Sequence, residues 1–138
     1  MDTEKLNPEM MRARLTERLG FDPADCPIRD VMDNISGKWS LLMMLELTAG
    51  PKRFGELRRK VPDISQRMLT QTLRDLQRDG YVMRTVYPTQ PPSVEYRLTG
   101  LGESFMRPIE ALVDWAEENH ERIRRCRAEF DGAAVEAA

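Results

Sequence analysis

Ile64-Ser65-Gln66-Arg67-Met68-Leu69-Thr70-Gln71-Thr72-Leu73-Arg74-Asp75-Leu76-Gln77-Arg78-Asp79-Gly80 carries two patterns on one helical period. Leu69, Leu73 and Leu76 recur at spacings of four and three, so they share a face and can bury against a core. Arg67, Thr70, Gln71, Arg74 and Arg78 fall on the opposite face. Ser65 has the hydroxyl that satisfies a free backbone N–H at a helix start, and Gly80 supplies a stop where a left-handed residue is wanted. These marks predict a helix from about Gln66 to Asp79.

The side chains on the polar face share a chemistry. Arginine bonds a guanine edge or a phosphate through two donors, glutamine pairs with an adenine edge, and Ser or Thr reaches either phosphate or base. A solvated face of an ordinary surface helix uses the same residue types. The neighbouring segments therefore decide between the two.

Working outward, Gly55-Glu56-Leu57-Arg58-Arg59-Lys60-Val61 predicts a short helix ended by Pro62, after the brief extended link Lys52-Arg53-Phe54. Joined by the turn Pro62-Asp63-Ile64 to the helix above, it gives a helix-turn-helix arrangement. Further upstream, Trp39, Leu42, Met43, Leu45 and Leu47 fill a strongly apolar helix between Ser36-Gly37 and Gly50-Pro51, expected to be the most buried of all. Ahead of it, Pro27 opens a short helix with Ile28, Val31 or Met32, and Ile35 on its apolar side. Beyond Gly80 the period changes to two: Val94, Tyr96 and Leu98 alternate with Glu95 and Arg97, and Val82 to Tyr87 is rich in β-branched and aromatic residues. Pro88-Thr89-Gln90-Pro91-Pro92-Ser93 cannot continue a ladder and predicts a proline-stiffened hairpin tip. Helix, helix, helix, hairpin is the winged helix-turn-helix order, although other α+β domains also contain such hairpins.

The ends carry apolar surface with no evident cover. Asn7-Pro8-Glu9 reads as a capped helix start, and Met11, Leu15 and Leu19 form a stripe too thin for so short a helix to stand alone. Thr99 caps the last helix, where Phe105, Ile109, Leu112 and Ala116 lie on one side and Met106, Val113 and Trp115 widen the apolar surface. A second copy of the chain is the simplest cover. Pro108 is expected to kink or restart this helix, and Asp131 to Ala138 to fray. The expected fold class is α+β, mainly helical: an N-terminal extension at 1–25 with a helix near 8–19, a winged helix-turn-helix domain at 26–99, a C-terminal dimerisation helix at 100–127, and a disordered tail at 128–138.

A chain of 138 residues suits one domain with a modest core. Without a long apolar run or a secretory apolar segment after Met1, the expected location is cytoplasmic, with no membrane partner. The net charge of −2 conceals a polarity. Residues 50–84 hold nine Lys or Arg against four acids, a net of +5, which leaves the remainder at −7. Such asymmetry fits a protein that offers one face to a polyanion. Two cysteines and a lone His120 make neither a disulfide framework nor a spaced metal site, so no metal or cofactor is expected. They also supply no nucleophile–base pair, so no catalytic residue is assigned and an enzyme finds no support.

Cys26-Pro27, Gly37-Lys38-Trp39, Arg53-Phe54-Gly55-Glu56-Leu57, Ile64-Ser65 with Leu69-Thr70 and Leu73, Asp79-Gly80, and Pro91-Pro92-Ser93-Val94-Glu95-Tyr96-Arg97-Leu98-Thr99 with Gly102 together resemble the HxlR family of winged-helix transcriptional regulators, relatives of the MarR type. The likeness extends from about Cys26 to Trp115. It implies a homodimer whose recognition helices enter successive major grooves of a pseudo-palindromic operator in double-stranded DNA. Carried over residue by residue, the DNA contacts fall on Ser65, Gln66, Arg67, Thr70, Gln71 and Arg74, with Arg53 and the wing residues Thr89 and Gln90 on the backbone. The dimer is implied to form around residues 8–35 and 101–127. Asp63 and Ser36 stand where the family commonly has glycine, and the helix near 8–19 precedes the family's usual start.

Cys26 precedes a helix N-terminus and has Arg29 nearby, two features that favour a thiolate. In some members of the resembled family a cysteine at this position senses electrophiles or oxidants. An inert, buried packing cysteine has the same sequence appearance. Met32, Met43, Met44 and Met106 occupy helical apolar positions and read as core rather than as a ligand pocket, and Trp39 and Trp115 read as packing anchors. The expectation is a dimeric, sequence-specific DNA-binding regulator, a repressor before an activator, responsive through Cys26. Its alternatives are a winged-helix module that meets another protein, or a small-ligand-responsive regulator with an inert Cys26.

Overall fold

The computed structural model describes residues 7–19, 26–35 and 37–136; the readings made for residues 1–6, 20–25, Ser36 and the last two residues lie outside it. In chain order the elements are α1 (Pro8–Leu19), α2 (Pro27–Ile35), α3 (Lys38–Leu47), β1 (Lys52–Arg53), α4 (Phe54–Lys60), α5 (Gln66–Arg78), β2 (Val82–Tyr87), β3 (Ser93–Leu98) and α6 (Gly100–Glu136). Leu69, Leu73 and Leu76 of α5 are at most 1 % exposed, as the four-three spacing requires, and each stabilises the fold by roughly 1.5–3 kcal/mol through burial. They meet Met43, Met44 and Leu47 of α3, Leu57 of α4, and Val82 and Tyr96 of the sheet in one cluster. Thr72 joins the buried side of α5.

The turn between α4 and α5 closes with Ile64 N–H donating to the Val61 carbonyl at 3.2 Å, and Ile64 buries as its plug. Among the described residues no non-glycine residue has a positive φ, so Asp63 fits this turn without the freedom of glycine. Gly80 does need that freedom: its φ of 84° ends α5 and turns the chain into β2.

β2 and β3 pair antiparallel from Val82↔Leu98 to Tyr87↔Ser93, so the proline-rich tip projects from a regular hairpin. The link expected at Lys52-Arg53 is a third strand, with Lys52↔Tyr96 and Arg53↔Glu95, and the sheet order is β1-β3-β2. Thr99 caps α6 by accepting from Gly102 N–H at 3.1 Å, and its hydroxyl donates to the Gly80 carbonyl. A Cβ at Gly102 would run into the Tyr81 carbonyl, so this helix approaches β2 as only glycine allows. Tyr81 and Phe105 pack their rings 5.5 Å apart beside it.

Several expectations change. α6 is one helix from Gly100 to Glu136 with Pro108 inside it, so Pro108 does not restart it; Pro108 is exposed, and water can reach the Ser104 carbonyl that loses its N–H partner. It also runs to Glu136, where a disordered tail from residue 128 was expected; Arg, Glu and Ala are strong helix formers that outweigh one Gly132. Val31 packs against the core and Met32 is exposed, so that methionine is not core in this chain. Trp39 packs on the core with Lys38 Nζ 4.3 Å from its ring centroid, whereas Trp115 is 54 % exposed and anchors nothing here. Every side chain described in α1 is exposed, although Asn7 caps it by accepting from Glu9 N–H at 3.0 Å. Among the described residues no helix is long and apolar enough to cross a membrane.

Candidate nucleic-acid interface

The face of α5 opposite the leucines is free. Ser65, Gln66, Arg67, Thr70, Gln71 and Arg74 are all exposed. Their local bonds leave defined chemistry outward. Ser65 Oγ accepts from Met68 N–H at 3.1 Å, which caps the helix and leaves the hydroxyl hydrogen to donate elsewhere. Thr70 Oγ1 donates to the Gln66 carbonyl at 2.9 Å, so its lone pairs face outward work. Among the described residues the one ion pair within 4.0 Å is Arg124 with Glu121 on α6. Among the described residues, therefore, no acid forms an ion pair with the guanidinium groups of Arg67 and Arg74.

Arg53 stands on β1 at the start of α4, where its N–H donates to Glu56 Oε1 at 3.2 Å. It lines a hollow together with Gly55, Thr89, Gln90 and Ser93, so strand pairing brings the wing residues and Arg53 to one place. The wing loop is fixed by Thr89 Oγ1 donating to the Pro91 carbonyl at 2.7 Å. Ser93, on the wall of that hollow, holds a buried hydroxyl with no hydrogen-bond partner among the described residues. Sequence reading missed this group, and no local spacing marks it: the hollow exists because a strand of two residues pairs across the sheet.

Cys26 lies apart from both groups. Its carbonyl accepts Asp30 N–H at 3.1 Å at the start of α2, and its side chain is 6 % exposed. Cys126 is an exposed, free thiol on α6, beside Trp115, Ile123 and Phe130. Met83 and Met106 line a separate hollow with Arg97 and Glu103.

A short helix, a tight turn, a recognition helix with its polar side outward and a two-stranded wing define a winged helix-turn-helix transcriptional regulator. Residues 34–124 match the family model described as HxlR-like helix-turn-helix, and the chain belongs to that family. It is 44 % identical over 116 residues to the HTH-type transcriptional regulator YdeP of Bacillus subtilis (strain 168), covering 80 % of this chain and 91 % of YdeP. Among solved structures it is similar to the transcriptional regulator ytfH from Salmonella typhimurium, with a TM-score of 0.68 and 40 % identity over 75 % of this chain and 93 % of that one. It is also similar to the redox regulator HypR in its oxidized form, with a TM-score of 0.65 and 44 % identity over 68 % of this chain and 97 % of HypR.

Proposed function

We propose that two copies of this chain bind a pseudo-palindromic operator in double-stranded DNA, each placing α5 in a major groove, and that occupancy of the operator represses transcription. The observation that carries the reading is a pair of guanidinium groups with no ion pair among the described residues, Arg67 and Arg74, on the outer face of a helix whose inner face is locked into the core. Ser65, Gln66, Thr70 and Gln71 complete the groove-facing set, and Arg53, Thr89 and Gln90 hold the phosphate backbone at the wing. Arg53, Thr89 and Gln90 line one hollow, and the Arg53 cation there suits a phosphate oxygen. Dimerisation covers the exposed Leu112, Trp115 and Phe130 of α6 and Met10, Met11 and Leu15 of α1. Reading the chromosome places the protein in the cytoplasm.

Titration of a fragment selected from a random DNA pool tests this reading. The expected complex holds two chains per fragment. With six to ten phosphate contacts, its affinity falls by roughly 10³–10⁵ between about 50 and 200 mM salt. Binding that does not distinguish the selected fragment from random DNA would overturn it, and would leave the docking of another protein on the basic face as the better account.

Similarity to HypR, a redox regulator, favours a sensing role for Cys26 toward a small electrophile or oxidant. Burial of the thiol requires the start of α2 to open before attack. Diamide treatment followed by the same titration is the check: weaker binding once Cys26 is modified supports sensing, and unchanged affinity with Cys26 modified removes it.

A further inference from the structure

Two glutamines on α5 are held by side chains that can bond in one direction only. Gln71 Nε2 donates to Asp75 Oδ1 at 2.9 Å, one turn further along the helix. A carboxylate has no hydrogen to give, so the amine end of that amide must face Asp75 and the carbonyl oxygen is the end left over. Eight residues before Gln66, Arg58 of α4 donates from Nη1 to Gln66 Oε1 at 3.2 Å. A guanidinium only donates, so here the carbonyl end is held and the amine end is left over. Among the described residues neither free end has another partner.

We propose that Arg58 and Asp75 are positioning residues that fix the hydrogen-bond polarity of Gln66 and Gln71, and so decide which bases these glutamines accept. The inference rests on the DNA-reading role proposed above for α5. A glutamine free to turn meets adenine with both ends, accepting from N6 and donating to N7. With one N–H engaged by Asp75, Gln71 leaves its carbonyl oxygen free with the second N–H beside it, and the donors that oxygen can meet in the major groove are the N6 amine of adenine and the N4 amine of cytosine. Gln66, with one carbonyl lone pair taken by Arg58, leaves both N–H donors free, suited to N7 of a purine, O6 of guanine, O4 of thymine or a phosphate oxygen, and favours these acceptors over cytosine. In the free protein water weakens both links; a groove that excludes water strengthens them.

Selection from a random DNA pool with the full chain tests the proposal, the base position read by each glutamine being the one that loses its preference in Gln71→Ala or Gln66→Ala. Asp75→Lys replaces an acceptor by a donor, so the Gln71 amide turns over. Its base position then shifts from adenine or cytosine toward guanine or thymine by roughly threefold to tenfold, the worth of one hydrogen bond. Arg58→Glu turns Gln66 over and moves its base position toward adenine or cytosine. Asp75→Glu and Arg58→Lys keep the direction of bonding and keep the parent's preferences. Asp75→Asn, which can donate or accept, broadens the Gln71 position and serves if the lysine variant does not fold. Base ratios unchanged at every position in Asp75→Lys, Asp75→Asn and Arg58→Glu, with a parent that does select a sequence, overturn this proposal and leave the DNA reading intact. A parent that enriches no sequence overturns the reading of α5 itself, and this proposal with it.

Discussion

Helices α5 and α6 place their apolar residues in opposite situations. The 13 residues of α5 bury Leu69, Thr72, Leu73 and Leu76 and leave only one large apolar side chain, Met68, in solvent. The 37 residues of α6 bury the Ile109 side chain and a close glycine contact at Gly102, while Leu101, Leu112, Trp115 and Phe130 stay exposed, Phe130 at 74 %. A helix whose apolar side is already saturated can gain only a polar partner through what remains. One with large exposed aromatics gains most from an apolar partner. On the function proposed above, the two helices divide the work within a single chain, α5 toward nucleic acid and α6 toward another subunit.

The strongest way to break the contrast is to weaken the buried side of α5. Leu73→Ala removes a side chain that is 1 % exposed among packed neighbours and should lower stability by about 2–5 kcal/mol, seen as a lower urea midpoint. A loss under ~1 kcal/mol would mean that the leucine face is not the anchor of this helix. On α6 the matching change is Trp115→Ala. Because Trp115 is exposed in the single chain, the monomer fold should hardly respond, while association of two chains weakens by about 2 kcal/mol or more. Sedimentation at graded concentration separates the two effects, and an unchanged dimer would move the interface elsewhere.

These helices also differ in how much the amino-acid order reveals. α5 is legible because its period, its cap at Ser65 and its stop at Gly80 agree, and the hairpin because Val94, Tyr96 and Leu98 alternate. β1 is not legible: two residues have no period, and Lys52 and Arg53 become a strand only because β3 offers them partners. The far end of α6 is misread from Asp131 and Gly132, which suggest an end, while the Arg, Glu and Ala around them sustain the helix. For the candidate site, the exposed set on α5 follows from helical geometry alone. The Arg58–Gln66 bond and the orphaned Ser93 hydroxyl depend on which elements pack together, and no spacing rule contains that information.

Arg67→Ala and Arg74→Ala probe the outer side of α5 with the fold left in place. Each should cost about 1–3 kcal/mol of specific binding where the guanidinium meets a base, with the unfolding midpoint unchanged. A residue that contacts only phosphate behaves differently: its loss weakens binding to all sequences alike and lowers the salt slope by about one counterion. If both variants bound the selected fragment as tightly as the parent does, the outer face of α5 would not be the reading surface.

The smallest effect sharpens the contrast most, because the two helices are capped by the same chemistry. Ser65 Oγ accepts Met68 N–H at the start of α5, and Thr99 Oγ1 accepts Gly102 N–H at the start of α6, both at 3.1 Å. Replacing either by alanine removes one cap and should lower stability by about 1 kcal/mol. Thr99→Ala also loses the bond to the Gly80 carbonyl and should be the costlier of the two in unfolding experiments. In DNA binding the order reverses. The Ser65 hydroxyl still has a hydrogen to give outward, whereas that of Thr99 is turned into the protein. Ser65→Ala should therefore weaken binding to the selected fragment by several-fold beyond what its stability loss explains, with Ser65→Thr close to the parent. Equal DNA affinities for Ser65→Ala and Thr99→Ala, at matched fractions folded, would reduce Ser65 to a helix cap with no part in the interface.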